Sequence, residues 1–178
     1  GTIGAPDTFI PTAERTNLIV DLDRVVLRDA LDLLARLPAS QHVSVNVSAR
    51  QLRSGDFHDQ VTAALAESGL PPRLMHIELT ETAVLGDEEQ ARQILSSLRD
   101  LGIKVWLDDF GTGFSGLSHL RRVPVDGVKI DRSIIADVLR EPDDLPLTIA
   151  IIAMAHSLGM PVVAEGVEKE GQCDLLRA

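Results

Sequence analysis

The chain is poor in aromatic residues: of 178 residues, four are Phe, one is Trp and none is Tyr. Its core must therefore be aliphatic, drawn from Leu, Ile, Val and Ala. With 44% hydrophobic residues the chain is long enough for one well-packed domain. It has one cysteine, Cys173, so neither an intrachain disulfide nor a CxxC pair is available, and a reducing compartment such as the cytoplasm is predicted. It is also short of positive charge. Seventeen Lys and Arg against 27 Asp and Glu leave a net charge of −10, which argues against binding nucleic-acid polymers or anionic lipid through a basic surface. A small phosphate-bearing ligand stays possible, because metal ions reverse the local sign of a carboxylate-lined site. Long apolar runs are missing too. The most hydrophobic stretch, 145–164, is broken by Pro146, His156, Gly159 and Pro161, and neither a membrane span nor a signal peptide is predicted. The expectation is a soluble segment, which a larger, membrane-attached parent could still carry.

What the sequence does have is a repeated device. In 104–132 an apolar run, Val105-Trp106-Leu107, ends in two adjacent carboxylates, Asp108 and Asp109, followed by Phe110-Gly111-Thr112-Gly113, a turn segment. About twenty residues on, Val128-Lys129-Ile130-Asp131 repeats apolar strand ending in charge. Adjacent carboxylates repel by about 4 kcal/mol at ~4 Å and an effective dielectric of ~20, so a cation must sit between them. A divalent metal or Lys129 would serve.

In chain order, 1–16 is turn-rich and predicts a loop. Residues 18–37 have apolar positions at 22, 25, 26, 30, 33, 34 and 37, helical spacing that Pro38 ends. Strands are predicted at 41–47, 74–79, 103–108, 127–130 and 161–164. Helices are predicted over 56–68, after an Asp87 cap, over 133–140, 147–158 and 171–178, with a short helical turn at 115–122. Strand–helix alternation means a parallel sheet covered by helices. Each strand carries its polar residues at its C-terminal end, and five strands do so. An open doubly wound sheet binds at one switch point, whereas a (β/α) barrel gathers all its strand ends around one mouth. A TIM-type barrel is predicted.

Its mouth would collect Asn46, Glu78, Asp108, Asp109, Lys129, Asp131 and Glu165, with Glu81 and Glu168 three residues beyond two of them. Oxygen-only ligands suit Mg²⁺ or Mn²⁺ rather than zinc. Two such ions clamp the attacking and leaving oxygens of a phosphodiester hydrolysis and acidify a bound water. Taken singly, an Asp at a strand end is more commonly a helix cap or a surface ion pair. Glu81 and Glu168 can be read as loop-holding residues, and Arg50, Arg121 and Arg122 as solvated surface. His42, His58, His76, His119 and His156 sit at no metal spacing. The joint pattern of five strands carries the reading.

With those residues in view, the chain resembles the EAL family of bacterial cyclic di-GMP phosphodiesterases. The likeness runs through FIPTAE near the start, NVSARQL at 46–52, ELTET at 78–82, DDFGTGFSGLSHL at 108–120, VDGVKIDRS at 125–133 and AEGVE at 164–168. The resemblance implies hydrolysis of cyclic di-GMP to pGpG with two Mg²⁺ or Mn²⁺ ions. It implies Asn46, Glu78 and Asp108 as ligands of one metal, and Asp108, Asp109 and Glu165 as ligands of the second. Lys129 would contact the attacking water, Glu165 would also be cast as general base, and Asp131 would be an outer ligand. Glu81 would anchor the loop after DDFGTG, and Glu168 would help at the far side of the pocket.

The chain departs from the family pattern in lacking the Glu-Ala-Leu strand, with its glutamate and a nearby arginine, and the family's final strand and loop. It also has Gly116 where a serine is usual. The expectation is thus one domain, 1–178, forming an incomplete barrel of a larger multidomain signalling protein. The piece alone is expected to bind metal poorly and to hydrolyse slowly or not at all. A homodimer through the segment after DDFGTG is implied by resemblance. The rival readings are a non-catalytic cyclic di-GMP receptor or interaction module, and a different metal-dependent phosphoesterase on a barrel.

Overall fold

The structure, a computed structural model, describes residues 5–84, 87–112, 120–136, 138 and 144–177. Two helices open the chain, α1 (Pro6–Thr16) and α2 (Leu18–Leu34). Then follow β1 (Val43–Asn46), α3 (Ala49–Leu52), α4 (Phe57–Ser68), β2 (Met75–Thr80), α5 (Glu81–Val84), α6 (Glu88–Asp100) and β3 (Lys104–Phe110). The last part holds β4 (Gly127–Ile130), α7 (Arg132–Ala136), α8 (Asp144–Ser157), β5 (Val162–Ala164) and α9 (Glu170–Arg177).

The five strands are all parallel and lie in sequential order, β1-β2-β3-β4-β5. That order separates the two candidate architectures. A doubly wound sheet reverses direction at a switch point, whereas a barrel adds each strand beside the last. Period-2 alternation sorts the strand residues onto two faces. Val45, Met75, Ile77, Leu79, Val105, Leu107, Val128 and Ile130, none more than 4% exposed, share one core cluster with Leu27, Leu31, Val61, Leu95, Leu98, Ile135 and Ala155 of the helices. The opposite face carries Asn46, His76, Glu78, Trp106, Asp108, Lys129 and Val163, and is the concave side of the incomplete barrel. Among the described residues the sheet does not close, as β1 and β5 do not pair.

One expectation is corrected. Residues 6–16 are helical, not a loop: Pro6 takes the first helical position, where its missing N–H costs nothing, and Asn17 ends the helix in the left-handed conformation, φ 66°. The helix predicted from apolar spacing at 18–37 is α2, and the spacing named no buried face for it. Its buried residues are Ile19, Leu27, Leu31 and Leu34, while Val25, Val26 and Leu33 are 40–53% exposed. This helix is apolar on more than one side, so packing against β1 and α4, and not periodicity, selects the face. The helical turn predicted at 115–122 falls largely outside the described residues. Two short helices, α3 and α5, were not foreseen. Asp87 caps α6 as predicted, its carboxylate accepting from the Gln90 N–H at 3.1 Å.

Candidate active site

Lys129 is the hub. From β4 its Nζ reaches Glu165 Oε1 at 2.6 Å, Glu78 Oε2 at 2.8 Å and Asp108 Oδ1 at 3.2 Å, joining the C-terminal ends of β2, β3 and β4 with the residue just after β5. Its side chain is 14% exposed. Burial alone would lower its pKa, but the hydrogen bonds to Glu165 and Glu78 and the charges of Glu78 and Asp108 outweigh it and hold the ammonium well above its ordinary value.

The adjacent pair Asp108-Asp109 poses a geometric problem, because alternation places consecutive strand residues on opposite faces. The backbone solves it. Leu107 pairs with Val128 and Phe110 with Ile130, so Asp108 and Asp109 together oppose the single residue Lys129. That two-against-one count is a β-bulge, and Asp109 sits at φ 54°, in the left-handed region that Asp tolerates better than most residues. As a result, one oxygen each from Asp108, Asp109 and Glu165 lies within 4.8 Å of the others, close enough to share one ion.

The donor set fits a hard divalent cation. Asp108 Oδ1 is buried and, beyond its 3.2 Å ion pair with Lys129, has no hydrogen-bond partner among the described residues, which leaves acceptor capacity for a cation. Burial raises the Asp108 pKa, and Lys129 opposes that rise. Burial first, and then the charges of Asp108 and Asp131, raise that of Asp109. Burial and mutual repulsion both disfavour the ionised carboxylates here, and a bound cation would relieve them.

The remaining predicted residues lie around this cluster. Asn46 is exposed at the end of β1, directly in register with Glu78. Asp131 hydrogen-bonds with Asp109, and its Oδ1 accepts from the N–H of Ser133 at 2.8 Å and from the Ser133 hydroxyl. Burial opposes it, but these bonds hold Asp131 below its ordinary pKa. It stands outside the three-carboxylate group. Glu81, 7% exposed, begins α5 directly after β2; the loop it was expected to anchor lies outside the described residues. Glu168 is exposed and lines a separate cavity of about 210 Å³ with Arg132, Ser133 and Lys169.

Beneath the acids, Trp106 lies across Gly127, and His76 stacks between Trp106 and His42 at centroid separations of 6.2 and 4.0 Å. Trp106 is two residues before Asp108 and so on the same face, forming a floor below the acids. Two supporting residues escaped the sequence reading. Asp23 of α2 accepts from the Ser48 N–H and hydroxyl at 3.3 and 2.6 Å, bracing the turn after Asn46. Gln172 does the equivalent for the loop after β5. Asp23 is far in sequence from Ser48, and Gln172 from the α7 carbonyls, so spacing could not reveal those contacts, whereas the Gln172 cap on Lys169 and Asp131-x-Ser133 are local signals that could have been read.

No helix among the described residues is long and apolar enough to cross a membrane. The EAL domain family model matches residues 1–178. The chain is 39% identical to the signaling protein YkoW of Bacillus subtilis, over 99% of this chain and 22% of the relative. It is 42% identical to the cyclic di-GMP phosphodiesterase NbdA of Pseudomonas aeruginosa, over 99% of this chain and 23% of the relative. The chain thus spans under a quarter of these relatives' length. Among solved structures, the PaMucR phosphodiesterase in complex with c-di-GMP superposes with a TM-score of 0.92 at 36% identity, covering 97% of this chain and 77% of that one. The EAL domain of Mycobacterium smegmatis DcpA superposes at 0.84 with 42% identity, covering 91% and 75%. By sequence along its whole length and by its incomplete TIM-type barrel, the chain belongs to the EAL domain family.

Proposed function

We propose that this chain carries metal-dependent hydrolysis of cyclic di-GMP to linear pGpG. The observation that supports this most is the convergence of Glu78, Asp108 and Glu165 on Lys129 at the strand ends, with Asp109 grouped beside Asp108 and Glu165. The chemistry is phosphodiester cleavage by water. When bound, Mg²⁺ or Mn²⁺ would neutralise phosphate charge and lower the pKa of the attacking water. Asp108, Asp109 and Glu165 would hold one ion. Asn46, Glu78 and Asp108 would hold a second, with Asp131 as an outer ligand acting through Asp109.

Lys129 is held protonated and so does not take up a proton. Its role is to donate hydrogen bonds to the attacking water and to offset the charge that develops on the phosphate. The proton leaving that water would pass to a carboxylate, and the 2.6 Å approach of Glu165 to Lys129 supports Glu165 as that base. Glu81 would serve as a loop anchor from the start of α5, and Glu168, on a cavity of its own with Arg132 and Lys169, would act from outside the acidic cluster. Residues 1–178 are then a single phosphodiesterase domain of a larger, cytoplasmic signalling protein, a reading supported by how little of its relatives' length the chain spans.

Chromatographic assay of cyclic di-GMP hydrolysis with Mn²⁺ or Mg²⁺ tests this, on the chain and on a version extended at both ends. The result expected is turnover to pGpG in the extended chain, abolished by Asp108→Asn. Binding without cleavage makes the protein a receptor. Equal turnover of generic phosphodiesters makes it a different phosphoesterase.

A further inference from the structure

Gln172, on α9, is 2% exposed and lies outside the acidic cluster. Its side-chain Oε1 accepts from the N–H groups of Glu168 and Lys169, each at 2.9 Å. Its Nε2 donates to the carbonyls of Ile135 at 2.8 Å and Ala136 at 3.4 Å, at the end of α7. The bond to Lys169 by itself is ordinary helix capping, since Gln at the third helical position reaches back to the N-cap N–H. The other three contacts go beyond a cap. They tie the loop after β5 to the helix after β4.

The same loop is fixed at its other end, where the Glu165 N–H donates to the Ile130 carbonyl at 3.1 Å. Between the two anchors it runs against α7. Gly166 has φ 70°, and a Cβ there would stand 2.7 Å from Arg132 Cβ. The segment 165–169 is therefore pinned at both ends and in the middle to the segment that follows Lys129. The Lys129–Glu165 contact joins those same two segments.

We propose that Gln172 is a positioning residue for this site: its buried amide fixes loop 165–169 on α7, which sets the Glu165 carboxylate against Lys129 and the Asp108-Asp109 pair. This rests on the metal-dependent hydrolase reading above. A buried primary amide is the one side chain that satisfies two N–H donors and two carbonyl acceptors at once, and an apolar replacement takes the partner from the Glu168 and Lys169 N–H groups and the Ala136 carbonyl, leaving the Ile135 carbonyl only a 3.4 Å bond from the Val138 N–H. Groups that orient metal ligands from behind change metal affinity by about 10–100-fold when removed.

The test compares wild type with Gln172→Met, of similar length without hydrogen bonding, and Gln172→Glu, which keeps the two acceptor contacts and loses donation to α7. Leu95→Ala, a core truncation on α6, controls for lost stability. Mn²⁺ affinity by calorimetric titration, and kcat and KM for cyclic di-GMP in the extended chain, are the readouts. Expected are a Mn²⁺ Kd raised about tenfold or more in Gln172→Met and by less in Gln172→Glu, and a fall in kcat with little change in KM. Leu95→Ala should leave Mn²⁺ affinity unchanged below its melting temperature. Should Gln172→Met fail to fold, Gln172→Glu decides. Wild-type Mn²⁺ affinity and kcat in the folded Gln172 variants, with only the melting temperature lowered, would overturn this inference and leave the hydrolase reading intact. An extended wild-type chain that binds no Mn²⁺ would overturn both.

Discussion

Replacing Lys129 by Met keeps the length of the side chain and removes its charge. Nζ now lies 2.6–3.2 Å from oxygens of Glu165, Glu78 and Asp108. At an effective dielectric of ~20 each contact is about 5–6 kcal/mol of attraction, most of it offset by desolvation of the partners. Removing one member of such a buried group costs about 3–5 kcal/mol net, because the partner charges stay behind unpaired. The loss has a pH signature. Burial raises Asp108 and Asp109 above the ordinary 3.8, and Lys129 holds Asp108 back, so its removal lifts that group further. A carboxyl whose folded pKa is raised binds its proton more tightly folded than unfolded. The folded state therefore gains stability as pH falls through that pKa toward 3.8, and loses it as pH rises. The deficit of Lys129→Met is thus largest near neutral pH and narrows on acidification. In wild type the Lys129 contribution persists through neutral pH and fades only above 10.5, its folded pKa being raised. Urea denaturation followed by circular dichroism, at pH 7 and pH 5, with and without Mn²⁺, reads all of this. Mn²⁺ should stabilise Lys129→Met more than wild type, since it then replaces a missing cation instead of displacing one. A variant within about 0.5 kcal/mol of wild type at pH 7, with no larger response to Mn²⁺, would refute the claim that Lys129 holds these acids together.

At the bulge, Asp109→Asn should keep near-wild-type stability, whereas Asp109→Val, forced to φ near 54°, should lose about 2 kcal/mol in denaturant melts; equal stability of the two would show that the left-handed conformation imposes nothing. At the floor, Gly127→Ala places a methyl within 2.7 Å of the Trp106 ring and should cost about 1–3 kcal/mol, largely recovered in the double variant with Trp106→Leu. Asp126, though burial opposes it, is held below its ordinary pKa by the Val105 N–H, Lys104 and Arg99, so its stabilisation is present above 3.8 and lost as pH falls through the lowered folded value. Asp126→Asn should therefore cost about 2 kcal/mol at pH 7 by thermal denaturation, with the gap closing in strong acid.

Much of this protein could be read from its residues in order. Apolar runs of strand length alternating with helical periods specified a parallel sheet. Polar residues at each strand's C-terminal end placed Asn46, Glu78, Asp108, Asp109, Lys129 and Glu165 on one rim, because a strand's end is a local property. Local signals also gave the Asp87 cap and the limits of β4. The face of α2 was not legible, since both of its sides are apolar and only its neighbours choose between them. The prolines at 6 and 11 hid α1, because proline marks helix starts as readily as loops.

What only the tertiary structure decided is how the acids meet. Alternation sends Asp108 and Asp109 to opposite faces. It takes pairing with β4, two residues against one, to bring both toward Lys129. The sequence by itself determined the family and the chemical inventory of the rim, because residue types and strand limits are written locally. The bulge and the reach of Gln172 to α7 depend on segments far apart in the chain coming together, and such contacts exist only once the sheet and its helices have packed.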